Sequence, residues 1–229
     1  MLLQSVIFIS GAAILALELL ASRIMTPYFG VSLYIWAGVL SITLIALAIG
    51  YWAGGKLANA RGLNHEARLM LFGLMPALAA IFIVLACLIY PYTFVPLATW
   101  SLLAGSFVAC LILLGVPLLA ASAMNPLLVA IQRRTDSAGD SGSGQVFFIS
   151  TVGSVVGVLL TAFGLIPHMA HFEAVLIVAA VLAVLGLVVS LGNAVRHKML
   201  AVIASVIGLL ASLLMLWQDR KSTRLNSSH

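Results

Sequence analysis

Charge is what this 229-residue sequence most lacks. Only 7% of its residues are Asp, Glu, Lys or Arg, against 63% that are hydrophobic, and its mean hydropathy is +1.22. A soluble domain must keep a charged, hydrated surface, so this balance excludes one of any size. Cysteine is nearly absent as well. Cys87 and Cys110 both fall inside apolar runs, where small packing residues are expected rather than a disulfide or a metal ligand. There is no CxxC, HExxH or Cys/His cluster, so the sequence offers no metal site. There is also no strand followed by GxGxxG, and the GSG of residues 142–144 lacks the spacing of a phosphate loop, so no nucleotide or S-adenosyl site is offered either.

Long apolar runs take the place of these features. A hydrocarbon core of about 30 Å needs about 20 helical residues. Seven stretches meet that need: Leu2 to Leu20, Ser32 to Trp52, Leu69 to Tyr90, Trp100 to Met124, Gln145 to Ile166, Phe172 to Leu191 and Met199 to Trp217. None shows the two-residue alternation of a barrel strand, so the expected fold class is all-α, a polytopic transmembrane helix bundle of about seven spans. The first run has no basic leader and carries Glu18, so it reads as a retained helix rather than a secretory signal.

Basic residues between the spans set an expected orientation. Lys56, Arg61 and Arg68 follow span two, Arg133 and Arg134 follow span four, and Arg196 and Lys198 follow span six, whereas the loops after spans three and five carry none. The positive-inside rule then places the N-terminus in the cytoplasm. Arg23, on the opposite side, is the exception, and its proximity to Glu18 is one account of it. Tyr28, Phe29 and Tyr34, and then Tyr90, Tyr92 and Trp100, mark headgroup levels. Pro117 and Pro126 predict a kink or break in span four. Phe8 to Pro27 and Phe148 to Pro167 align without a gap, as a parallel four-span repeat would, and that repeat implies an eighth span beyond the present end.

The last eleven residues, Asp219 to His229 (DRKSTRLNSSH), break from everything before them. Read back as codons in one frame, they resemble a short-read sequencing adapter. The expected division is therefore a membrane domain over 1–218 and an artefactual tail over 219–229. Without the tail's Asp219, Arg220, Lys221 and Arg224 the formal net charge falls from +5 to +3, and nothing in it calls for nucleic acid.

Few residues are candidates for chemistry. Glu18 is an acid inside a span, a placement that is costly and commonly tied to ion or proton pathways, with a structural pairing to Arg23 as the alternative. Asn125, beside Ser122 and Pro126, is placed either to line a polar cavity or to cap backbone groups freed by the proline. Gly50 and Gly54, and Gly153 and Gly157, form GxxxG patterns that allow close helix packing. His168, His171 and Glu173 flank one turn, where a metal or a proton could bind, or where the three simply face solvent.

Three stretches together resemble a known family. They are SGAAILALELLASRIMTPYFGVSLYIWAGVLSITLIALAIGYWAGGKLA, then PLLAASAMNP (Pro117 to Pro126), then GQVFFISTVGSVVGVLLTAFGLIP (Gly144 to Pro167). In this order they are similar to the N-terminal membrane region of the integral-membrane spermidine synthase-like proteins. The resemblance implies a multi-pass protein of the cell membrane, a bacterial inner membrane by expectation. It also implies a soluble aminopropyltransferase domain following the membrane region, using decarboxylated S-adenosylmethionine and a diamine. None of that domain's motifs is here, so no catalytic residue carries over and no cofactor is expected in this chain. The implied partners are the bilayer, the missing C-terminal domain, and polyamines or other small cations. GGKLANARG (Gly54 to Gly62) is similar to a second pattern, the GxLaDRxGr signature of major facilitator transporters, with Asn59 where that signature has an acid. A stand-alone secondary transporter and a purely structural anchor are the competing readings.

Overall fold

In a computed structural model the chain is described over residues 2–31, 33–60, 62–133, 141–192 and 199–226. Ser32, Arg61, Arg134, Arg196 and Lys198, and most of the linker between Arg133 and Gly144, lie outside the described residues. The described residues are helical apart from short turns: α1 (Leu2–Phe29), α2 (Leu33–Ala58), α3 (His65–Trp100), α4 (Leu102–Cys110), α5 (Val116–Ser122), α6 (Met124–Gln132), α7 (Ser141–Leu160), α8 (His171–Gly192) and α9 (Met199–Asn226). π-helical segments, Leu111–Gly115 and Thr161–Leu165, join α4 to α5 and extend α7. Within the described residues seven stretches are long and apolar enough to cross a membrane, with α4 to α6 forming one of them. The all-α, seven-span architecture read from the sequence is therefore present.

Several helices outrun the predicted spans. α1 passes Leu20 and Pro27 before Gly30, at φ +73°, turns the chain in a conformation that side chains avoid. α3 has 36 residues, about 54 Å at 1.5 Å per residue. It begins at an Asn64 cap, whose side chain accepts from the Ala67 amide at 2.9 Å, and continues through Pro76, Pro91 and Pro96. The helix runs through all three prolines, and beyond the last two threonine hydroxyls bond back to it: Thr93 donates to the Ile89 carbonyl at 3.2 Å and Thr99 to that of Pro96 at 2.9 Å.

Each π segment ends two residues before a proline, Pro117 or Pro167. Proline lacks the amide hydrogen and crowds the carbonyl four residues back, and a widened turn just upstream relieves both problems. The next discontinuity is the turn at Ala123, which puts Pro126 in the first turn of α6, where its missing amide costs no bond.

Burial separates inner from outer helices. In α1, α3 and α8, 61% of the apolar window is buried, against 33% in α2, 28% in α7 and 22% in α9. The inner three therefore form the core, and the outer three keep wide apolar faces for lipid. α7 lies along α1 and runs in the same direction, since Gly153 faces Phe8 and Gly157 faces Ala12. α2 runs likewise beside the broken span four, Gly38 meeting Ser106 and Gly50 meeting Ser122. Tyr28, Tyr90 and Phe94 stack edge to face at the end of the bundle where α1 finishes, while Tyr92 and Trp100 stay exposed. Both cysteines are buried free thiols, and Cys110 Sγ lies 3.4 Å from Met25 Sδ.

Candidate functional site

Polar side chains are so scarce in this bundle that their placement can be followed almost one by one. The largest gathering lies where α1, α6 and α7 meet. The turn at Ala123 rotates Asn125 inward, where it is 3% exposed. Its Nδ2 donates to Ser150 Oγ at 3.3 Å, and Tyr51 of α2 lies beside it. One residue away, Ser10 Oγ donates to Met124 Sδ at 3.3 Å. Ser154 Oγ donates at 2.9 Å to the carbonyl of Gly11 and at 3.0 Å to that of Ser150. The Phe147 ring stands edge-on to Tyr51 at 5.4 Å. Asn125 thus ties α6 to α7.

Close backbone approach makes this seam possible. A Cβ on Gly153 would collide with the Phe8 carbonyl, one on Gly157 with that of Ala12, and one on Gly11 with that of Ser150. On the neighbouring face of span four, a Cβ on Gly50 would strike Ser122 Oγ, and one on Gly54 would fall 2.7 Å from Pro126 Cγ. Backbones this close gain van der Waals contact that larger residues would forbid. Apart from the Tyr51 phenol, the seam's polar side chains are neutral amides and hydroxyls, which suits it to holding helices together and to hydrogen bonding, not to proton transfer.

A cavity of about 300 Å³ opens next to the seam, at the end of the bundle where α2 and α6 finish and α3 and α7 begin. Arg68 of α3 and Arg133 after α6 line it, with Asn59, Ser143, Pro126 and Phe147. Asn59 is occupied with closing α2: its amide N and its Nδ2 both donate to the Gly55 carbonyl, at 3.2 and 3.0 Å. The Arg68 Nε is buried and has no hydrogen-bond partner among the described residues. No carboxylate is among the described lining residues. Phe147 and Pro126 form the boundary between cavity and seam.

Glu18, Arg23 and Asn125 do not form one site. Arg23 is exposed and lines a separate cavity of about 140 Å³ with Ser22, Thr26 and Trp36, near the opposite end of α1. Glu18 is half-buried, lines neither cavity, and has no ion-pair or hydrogen-bond partner among the described residues. Five residues along a helix place two side chains about 140° apart, so Arg23 cannot answer Glu18, as a residue at i+3 or i+4 would. Glu18 also lies eight residues, about 12 Å, along α1 from Ser10, which puts it away from Asn125. The opposite-end turn holds His168, whose Nδ1 is 2.8 Å from the Gly164 carbonyl, and His171, whose Nδ1 is buried without a partner among the described residues. These two and Glu173 do not converge into a metal-binding cluster among the described residues.

Sequence reasoning missed Tyr51, Ser150 and the meeting of Arg68 with Arg133. An isolated Tyr or Ser in an apolar span reads as an interface anchor or packing residue, and the two arginines read only as orientation signals. The STVGSVVG run was the available pointer to Ser150. No family model, curated protein or solved structure matches the chain.

Proposed function

We propose that this chain is the membrane domain of a spermidine synthase-like polyamine aminopropyltransferase, and that aminopropyl transfer from decarboxylated S-adenosylmethionine belongs to a soluble domain outside these residues. One observation carries the reading. The three stretches that resemble the family are far apart in sequence, yet their small and polar landmarks meet: Gly11 on Ser150, Asn125 on Ser150, Gly50 on Ser122, and Gly157 on Ala12. Residues whose resemblance rests on small and polar landmarks, rather than on hydrophobicity, are the ones that set the helix contacts. The membrane part acts as anchor and frame. The basic end, with Lys56, Arg68 and Arg133, faces the cytoplasm of a bacterial inner membrane. The test is the uninterrupted genomic reading frame beyond the codon for Gln218. It is expected to run into a nucleotide-binding α/β domain with paired acidic residues, and an early stop codon without one would sink the proposal.

A second reading, a stand-alone secondary transporter of the major facilitator type, is favoured by Glu18, a half-buried acid in α1 without an ion-pair partner. The arginine-lined cavity does not suit a cationic cargo, so a polyamine path would have to run past Glu18 by another route. Uptake of labelled spermidine or putrescine into liposomes, wild type against Glu18→Gln, decides it. Uptake lost in the variant supports transport, and no uptake by the wild type removes it.

A further inference from the structure

The cavity at the basic end has a chemistry that neither reading above uses. Two guanidinium groups, from Arg68 and Arg133, line a space of about 300 Å³, at the lower end of the range in which small ligands are held. The described lining has the Ser143 hydroxyl but no acid. Glu66, the acid nearest to Arg68 in sequence, is exposed and outside the lining. A buried guanidinium N–H without an acceptor is costly, and the Arg68 Nε is such a group.

Depth in the membrane narrows the ligand. The cavity is built from the last turn of α2, the first turn of α3, the end of α6 and the start of α7, all at one end of the bundle. Trp52, 62% exposed, lies three residues before the cavity residue Gly55, and Lys56 Nζ sits 3.9 Å from the centroid of its ring. An exposed tryptophan capped by a lysine is the side-chain pattern of a headgroup layer. At that level the abundant anion is a phosphate group, and guanidinium forks match its oxygens in pairs.

We infer that the Arg68–Arg133 cavity is a binding site for a phosphate group, the natural source being the headgroup of an anionic phospholipid that enters between α2, α3 and α7. Basic pockets between membrane helices hold such headgroups by charge and by hydrogen bonds together. Arg68 gains the acceptor that its Nε lacks, and Arg133 supplies the second charge. The site closes the bundle where span four is broken and α7 starts, so an occupant ties these helices together. The inference is independent of the aminopropyltransferase reading.

The test uses the purified full chain in neutral detergent, titrated with dioleoylphosphatidylglycerol, dioleoylphosphatidylcholine or inorganic phosphate. Native mass spectrometry counts bound lipid, and thermal unfolding reports stabilisation. Phosphatidylglycerol is expected to bind one to one and to raise the unfolding temperature, with phosphatidylcholine weaker. Arg68→Gln combined with Arg133→Gln should weaken binding about tenfold or more, as loss of charge-assisted bonds does. Lys56→Gln, outside the cavity, should leave it unchanged. If inorganic phosphate stabilises the wild type and displaces the lipid, the site stands and its source is a soluble phosphate. Should the double glutamine variant fail to fold, Arg68→Lys with Arg133→Lys decides, because lysine keeps the charge but loses the fork; weakened retention supports the site. Binding by neither ligand, or binding undiminished in the variant that folds, overturns it.

Discussion

The seam between α1, α6 and α7 and the cavity beside it share two helices and almost touch, yet they treat polar atoms in opposite ways. In the seam, Asn125 is paired with Ser150, Ser154 with two carbonyls, and Ser10 with a thioether. Across Phe147, the Arg68 Nε is buried with no acceptor among the described residues. The difference follows from size and charge. Small neutral groups can be paired wholly inside a lipid-embedded bundle, where each unmade bond is expensive. A long guanidinium is held at the end of the bundle, where the partner need not be protein. Helix packing and ligand binding are thus separated by one aromatic ring.

The sharpest test of the contrast lies in the seam's glycines. Gly157→Leu or Gly153→Leu must push α1 and α7 apart, because even a methyl group at either position meets the α1 backbone. Overpacking of this kind costs about 1–3 kcal/mol or more. We expect the largest fall in detergent unfolding temperature from these variants, with loss of monodisperse protein on gel filtration. Gly164→Leu has nothing within 4 Å of the added Cβ and should fold normally. Equal behaviour of Gly157→Leu and Gly164→Leu would show that the seam is not tight.

Asn125→Leu is next in size. It removes the bond to Ser150 and leaves that hydroxyl without its partner, an expected loss of about 1–2 kcal/mol by membrane-helix precedent. A double-mutant cycle with Ser150→Ala should return part of that as coupling energy. Zero coupling would mean that the asparagine holds α6 by packing alone.

The residues show why only some of this was legible in the sequence. Seven spans could be read because an apolar run of bilayer length has few other uses. The extension of α3 past Tyr90 could not, since Pro91 and Pro96 read as stops in the sequence and the helix nevertheless runs through both. The π segments were foreshadowed at Pro117 as a kink, but no signal distinguishes a widened turn from a bend. Asn125 stood out beside Pro126, while its partner Ser150 lies 25 residues away and is found only once α6 and α7 are packed. Glu18 attracted attention because acids are rare here. Its pairing with Arg23 fails on helix geometry that a count of intervening residues already contains.

Glu18→Gln is expected to leave stability unchanged or slightly raised, by up to about 1 kcal/mol, because a half-buried carboxylate without a partner loses hydration and gains nothing in return. Thermal unfolding measures it, and a clear loss of stability would reveal a role for the acid in holding α1.

The smallest effect on stability should come from Arg68→Gln in lipid-free detergent, within about 0.5 kcal/mol of wild type, as for substitutions that remove no native bond. Its Nε has no hydrogen-bond partner among the described residues, so the fold they form loses no bond there when the guanidinium goes. The same variant should lose affinity for phosphatidylglycerol, whereas Asn125→Leu should lose stability and retain whatever lipid its folded fraction binds. That crossed pattern is what separates a binding group from a packing group. If Arg68→Gln instead destabilises the bare protein as much as Asn125→Leu does, Arg68 belongs to the framework, and Phe147 divides nothing.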